Sequence, residues 1–219
     1  MRTDSLIDKL SANTTPVQPL PAPWQRATFW IAASLPYVVL VAFAFGFRDD
    51  LAAKIFDPRF ATEQIAALAT GFTSAAAAFA LVVPGTSKKY FLLPVLPLTF
   101  WLGSVGVGCF LDLSHSKFHS VTFHADWLCV PGITLAGLLP GILIVSMLWR
   151  GAPLFPHKST ALAGLAAAGL GDFGFRLFHP EDAGLVVLAW QMGTVFLLTG
   201  IAAWAGKYLL TWRTVTVFD

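Results

Sequence analysis

The stretch Cys109-Phe-Leu-Asp112-Leu-Ser-His115-Ser-Lys-Phe-His119-Ser-Val-Thr-Phe-His124-Ala-Asp126-Trp-Leu-Cys129 lies between two long apolar runs. Both cysteines of the chain and three of its five histidines fall inside it. Each flanking run is close to the ~20 residues that an α-helix needs to cross a bilayer. The stretch therefore predicts a loop between two membrane helices, with side chains of the metal-ligand type gathered at one end of the protein.

The composition excludes a soluble globular protein. Hydrophobic residues make up 56% of the chain, charged residues only 12%, and the mean hydropathy is +0.70. Soluble domains carry about 25% charged residues, so this chain cannot cover itself with a polar surface and needs a lipid bilayer. Its net charge of +2 is too small to indicate nucleic-acid binding.

Six apolar segments of membrane-spanning length predict an all-α integral membrane bundle of six transmembrane helices. Alanine and glycine are frequent in the second and fifth segments, which favours close helix packing in lipid. Four prolines within the segments, Pro36, Pro94, Pro97 and Pro140, predict kinks. The segments are about residues 27–47, 62–83, 90–110, 127–149, 160–178 and 184–208.

The basic residues predict the orientation. With the N-terminus inside, nine Lys and Arg residues lie on the cytoplasmic side and five on the outer side, in agreement with the positive-inside rule. Both termini are then cytoplasmic, and the 109–129 loop and His179 face the periplasm of a bacterial inner membrane. The chain divides into a cytoplasmic tail, residues 1–26, and a transmembrane domain, residues 27–213, with an outer sensing loop at 109–129.

The cytoplasmic tail has the pattern of a partner-binding segment. Three apolar residues share one face of a short predicted helix, which is marginal alone in water and needs a partner to cover that face. The prolines that follow favour an extended spacer, and Trp24 and Arg26 then form an interfacial anchor pair. The candidate partner-binding residues are Leu6, Ile7, Leu10, Pro16 and Pro19.

The outer loop is a candidate metal site. His115 and His119 are four residues apart, so on a helix they share a face and can hold one ion. Imidazole with thiolate suits zinc or copper(I). Three alternatives stay open: solvated loop histidines, a Cys109–Cys129 disulfide formed under oxidising conditions, and two inert buried thiols. The candidate metal and redox residues here are Cys109, Asp112, His115, His119, His124 and Cys129.

Asp172, Arg176 and His179 are spaced i, i+4, i+7 and line one face of the fifth segment. A carboxylate inside a membrane segment is a functional candidate by default. We expect an internal Asp172–Arg176 pair that neutralises both groups, rather than a proton relay.

No sequence pattern indicates an enzyme, since the chain lacks a nucleotide-binding glycine loop, an HExxH pattern and a GxSxG elbow. The remaining classes are a regulatory binding protein and a small metal-ion or solute transporter or channel. A transporter carries polar groups near the midplane of several helices, or inverted repeats. Only Asp172 comes near that description, so the regulatory protein is favoured.

The order of these parts resembles the NrsF family of membrane anti-sigma factors, which negatively regulate an extracytoplasmic-function sigma factor. The resemblance spans the whole chain. It rests on the opening Met1-Arg-Thr-Asp-Ser-Leu-Ile-Asp-Lys-Leu, the proline-rich residues 16–26, Trp127-Leu-Cys129, Arg150-Gly-Ala-Pro153 and Phe178-His179-Pro180-Glu-Asp182. It implies six membrane helices, a sigma factor held at the cytoplasmic face, and release on an envelope signal.

The family carries a cysteine in each of two outer motifs, and this chain departs from that pattern. Cys129 keeps the first cysteine, whereas His179 stands at the second position. A disulfide between the two motifs is therefore impossible, but a cysteine and a histidine can share a soft metal ion. Because the fourth and fifth helices are antiparallel and joined by a short turn, we expect Cys129 and His179 to meet. No cofactor is required, and copper(I) or zinc would be regulatory.

Overall fold

The computed structural model of the protein describes residues 3–12, 19–115, 126–152, 154–180, 182 and 184–211, without the side chains of Lys9, Asp112, Leu113 and His115. The elements in these ranges are all helices. The six long helices confirm the predicted all-α bundle of membrane-spanning length. In chain order the helices are α1 (Thr3–Ala12), α2 (Pro23–Phe45), α3 (Leu51–Lys54), α4 (Pro58–Leu81), α5 (Val95–His115), α6 (Cys129–Leu148), α7 (Pro156–Phe178) and α8 (Gly184–Leu209).

Two local features shift the helix starts from the predicted ones. Helix α2 begins at Pro23 because proline is preorganised for the first helical turn and the Gln25 side chain accepts a hydrogen bond from the Ala22 N–H at 3.3 Å. Before α5, a 3₁₀-helix spans Lys88–Leu92, so Pro94 and Pro97 lie at the start of α5. They are therefore not kinks in a helix interior, unlike Pro36 and Pro140, which lie inside α2 and α6.

Helices α4 and α7, the alanine- and glycine-rich pair, are the most buried of the six. Their glycines allow backbone contact, as predicted. A Cβ atom on Gly171 of α7 would lie 2.5 Å from the Ile133 carbonyl oxygen of α6, and one on Gly71 of α4 would lie 3.3 Å from the Ala166 oxygen of α7. Small residues thus allow the backbones of the central helices to approach each other closely.

The helices run alternately up and down, which gives the bundle two ends. At the tail end, α2, α5 and α7 begin and α4, α6 and α8 finish, and the Trp149 indole donates to the Leu209 carbonyl at 2.8 Å. At the loop end, α2, α5 and α7 finish and the other three begin. There the Arg48 N–H donates to the Leu177 carbonyl at 3.1 Å. Cys129 and His179 lie at the loop end, and α1 precedes the tail end in the chain.

One turn of α8, Val187–Met192, is π-helical. Such turns are rare and are frequently found at functional sites. This turn carries Gln191, which is fully buried. No pattern in the sequence predicts it.

Candidate sensory site at the loop end

Cys129 and His179 meet through a carboxylate. The Cys129 thiol donates to Asp126 Oδ2 at 3.1 Å, and His179 Nε2 lies 2.7 Å from the same oxygen. Cys129 begins α6 and His179 follows α7, so the antiparallel arrangement brings the two motifs to one place, as expected. Cys129 is fully buried and Asp126 nearly so.

Asp126 is the residue that the sequence analysis missed. Its other oxygen, Oδ1, accepts from the Leu128 N–H at 3.2 Å, which holds the carboxylate over the first turn of α6. Burial acts to raise the pKa of Asp126, but the hydrogen bonds from Cys129 and His179 and the charge of His179 outweigh it and hold the pKa below its usual value. The sequence feature that could have identified Asp126 as a site residue is its position three residues before Cys129.

The donor set at this point fits a soft metal in chemistry, since zinc takes thiolate, imidazole and carboxylate ligands. In the described part of the chain, no three His, Cys, Asp or Glu side chains are placed to hold an ion. The thiol and the imidazole instead share a single carboxylate oxygen. The structure does not test the other three predicted ligands. His119, His124 and the side chain of His115 lie outside the described residues.

Neither cysteine is part of a disulfide, and both are buried. The structure thus contains no Cys109–Cys129 disulfide, and burial leaves both thiols shielded from solvent.

A charge network lies beside His179. Asp182, three residues further along, accepts from Arg48 at 2.6 Å and Lys54 at 2.9 Å, with Arg176 at 3.5 Å. Burial raises the pKa of Asp182, but the hydrogen bonds from Arg48 and Lys54 outweigh it and lower the pKa to about 2. The segment that carries His179 is therefore held on one side by Asp126 and on the other by three cations.

The predicted Asp172–Arg176 pair is wrong. Arg176 Nη1 donates to Glu63 Oε2 on α4 at 2.5 Å, and Arg59 also contacts Glu63 at 3.3 Å. Both oxygens of Asp172 lack a hydrogen-bond partner among the described residues, although the residue is only 1% exposed. Arg176 thus pairs with Glu63 of the neighbouring helix α4 and not with Asp172 of its own helix, because the Glu63 side chain reaches the guanidinium across the helix interface.

Asp172 lies in a layer of buried polar groups. Gln64 of α4 donates to the Phe173 carbonyl at 3.5 Å, which places it next to Asp172. Gly164 packs on Thr199 and Ala202 of α8, so in this antiparallel pair Asp172 lies at about the level of the π-helical turn that contains Gln191. The side-chain oxygens of Gln64 and Gln191 also have no partner within the described residues. Buried polar groups are normally satisfied, so this layer is a site of unmet hydrogen-bonding capacity.

At the tail end, α1 confirms the predicted short helix. Its apolar residues are exposed: Leu6 by 43%, Ile7 by 56% and Leu10 by 62%. Pro19 is exposed as well, and Pro16 lies outside the described residues. Of the predicted anchor pair, Trp24 is exposed by 42%, whereas Arg26 in the first turn of α2 is buried in the protein, at 5% exposure.

Comparison with known proteins identifies the family of the chain. Residues 10–212 match the NrsF family, described as negative regulator of sigma F. The chain is also similar to the anti-sigma-F factor NrsF of Caulobacter vibrioides (strain NA1000 / CB15N), with 28% identity over 226 residues that cover 97% of this chain and 100% of the relative. No solved structure matches the chain. The match over most of its length shows that this chain belongs to the NrsF family of negative regulators.

Proposed function

We propose that the protein is an inner-membrane anti-sigma factor that holds an extracytoplasmic-function sigma factor at its cytoplasmic end and releases it on an envelope signal. The observation that carries this proposal is the exposed apolar face of α1, formed by Leu6, Ile7 and Leu10. An amphipathic helix laid in a groove is a common way for one protein to recognise another. Membership of a family of negative regulators supports the same reading.

Deletion of residues 2–15 tests the tail. We expect the deletion to free the sigma factor and switch on its target genes, with the protein still inserted in the membrane. A finer variant is Leu10→Asp, which puts a charge on the apolar face. Its matched control is Ala12→Asp, which puts the same charge on the opposite, exposed face of the same helix. Full repression by the deletion variant would move the binding surface to the loops of the tail end.

The signal that we propose is a soft metal ion, copper(I) or zinc, bound by Cys129 and His179 together with one or two nitrogen ligands from among His115, His119 and His124, three or four ligands in all. The shared contact with Asp126 supports the pairing of the first two. Metal binding would take the thiol as thiolate, so the Cys129–Asp126 hydrogen bond would be lost. Oxidation of Cys129 or Cys109 is the alternative signal.

The purified protein should bind about one copper(I) or zinc ion per chain, a stoichiometry expected for a single site with three or four ligands. Cys129→Ser and His179→Ala should each lose the ion and the response to it in cells. Asp126→Asn, which keeps the shape of the carboxylate, should retain the ion. A wild-type protein that binds neither metal, with normal signalling by Cys129→Ser, would rule the metal site out.

The orientation belongs to the same proposal. A reporter active only in the periplasm should be active when fused after Ser116 and inactive when fused after Lys88. The reverse result would place the tail on the wrong side of the membrane for a sigma factor.

A further inference from the structure

Arg26 is an unusual basic residue of the tail end. It lies in the first turns of α2, just after the proline-rich spacer, and it is 5% exposed. The other described basic side chains of this end are exposed: Lys88, Lys89, Arg150, Lys158 and Lys207. An arginine near a membrane surface can extend its charge to water, yet this side chain turns into the bundle.

The guanidinium of Arg26 joins the ends of two other helices. Nη2 donates to the Met147 carbonyl at 2.6 Å and Nη1 to the Phe79 carbonyl at 3.4 Å, and the group lies over the Phe79 ring at 4.3 Å. Met147 is in the last turn of α6 and Phe79 in the last turn of α4. Carbonyls there lack an N–H partner within their own helix and carry partial negative charge, so a guanidinium is well suited to both.

Both helices that Arg26 holds carry loop-end residues at their far ends. Helix α6 begins at Cys129, and a helix of 20 residues is a rod of about 30 Å. Helix α4 carries Glu63, which pairs with Arg176 close to His179. A shift of α6 at Cys129 therefore moves the Met147 carbonyl, and a hydrogen bond to it is lost once the distance grows past about 3.5 Å.

We propose that Arg26 is a positioning residue that couples the loop-end site to the sigma-binding tail. Its hold on α4 and α6 fixes the point at which the spacer leaves the bundle, and with it the placement of α1. A signal that shifts α6 breaks this hold and changes the affinity of the tail for its partner. The proposal rests on the proposed function, because it takes the tail as the binding segment.

The test compares two substitutions in the full-length protein with a sigma-dependent reporter. Arg26→Gln removes the link at the tail end. Trp30→Phe removes a different bond between α2 and α6, that of the Trp30 indole to the Pro140 carbonyl at 2.9 Å, and leaves both Arg26 bonds in place. Both should lower the thermal stability of the purified protein. Only Arg26→Gln should raise the uninduced reporter, by about tenfold, which is what loss of one charged hydrogen bond supplies.

Equal reporter activity of Arg26→Gln and Trp30→Phe, at equal amounts in the membrane, would overturn the proposal and leave Arg26 a structural residue. Should Arg26→Gln not accumulate, Arg26→Lys decides. A lysine ammonium lacks the planar fork that reaches both carbonyls, so we expect a partial rise of the reporter, and full repression would overturn the proposal. If deletion of residues 2–15 frees the sigma factor while Arg26→Gln represses normally, this inference fails and the proposed function stands.

Discussion

The two ends of the bundle both carry charge, but they place it differently. At the loop end, cations and carboxylates pair inside the structure, as Arg176 does with Glu63 and Arg48 with Asp182. At the tail end, five basic side chains are exposed. The described bundle residues of this end, 19–30, 79–95, 145–152, 154–160 and 202–211, contain no Asp or Glu, and Asp4 and Asp8 lie on α1, before the bundle. The comparison indicates one end built to hold a fixed arrangement and one end left open to a partner.

Substitution of Glu63 should give the largest difference between the ends. Glu63→Gln leaves Arg176 buried without its carboxylate, and breaking a buried pair costs about 3–5 kcal/mol. The tail-end counterpart Lys89→Gln removes an exposed charge and should change the free energy of unfolding by less than about 0.5 kcal/mol. Unfolding of the purified protein in detergent measures both. Similar values for the two variants would show that the ends do not differ in this way.

Acid should weaken the loop end through Asp182. Its pKa of about 2 is below the ordinary value of ~3.9, so the ionised group stabilises the fold above pH ~4. That contribution is lost as the pH falls from ~4 through ~2. Because Asp182 is partly exposed, we expect the loss to be about 1–2 kcal/mol.

The Asp182→Asn variant isolates this group. It should already lack the stabilisation at pH 7 and should change less than the wild type between pH 5 and pH 2. The matched control is Asp49→Asn, an exposed aspartate of the α2–α3 loop at the same end of the bundle, and the stability of this variant should follow the same pH profile as that of the wild type. Parallel pH profiles for wild type and Asp182→Asn would contradict the assignment.

Asp172 should give the smallest effect, with the opposite sign. Its carboxylate is buried without a described partner, so the neutral Asp172→Asn removes a desolvation cost and should stabilise the protein by about 1 kcal/mol. The same unfolding measurement checks this. If Asp172→Asn is less stable than the wild type, the carboxylate has a partner and this prediction is wrong. If its stability is unchanged but sigma release differs, the polar layer takes part in signalling.

The sequence predicts those parts of the fold that depend on the length of the apolar segments and on the alternating direction of successive membrane helices. The six spans follow from hydropathy because a helix must match the bilayer thickness. The meeting of Cys129 and His179 follows from antiparallel helices joined by a short turn. These expectations need no knowledge of side-chain packing.

The length and order of the apolar segments do not predict which side chains pair between different helices. Arg176 and Asp172 are one turn apart, which favours a local pair, but the partner in the structure is Glu63, 113 residues away. The inward turn of Arg26 and the π-helical turn at Gln191 likewise depend on which helix faces which. Asp126 could have been singled out by its place before Cys129, but its role as a shared acceptor required the position of His179.

We propose that this protein binds a sigma factor through its tail. Co-expression of the full-length chain with a sigma factor from the same genome, followed by purification of the membrane protein in detergent, tests it most directly. We predict that the sigma factor co-purifies with the wild type and is absent from the variant lacking residues 2–15, although the two proteins are inserted equally. Recovery of equal amounts of the sigma factor with both proteins, or of no sigma factor with either, would contradict this proposal.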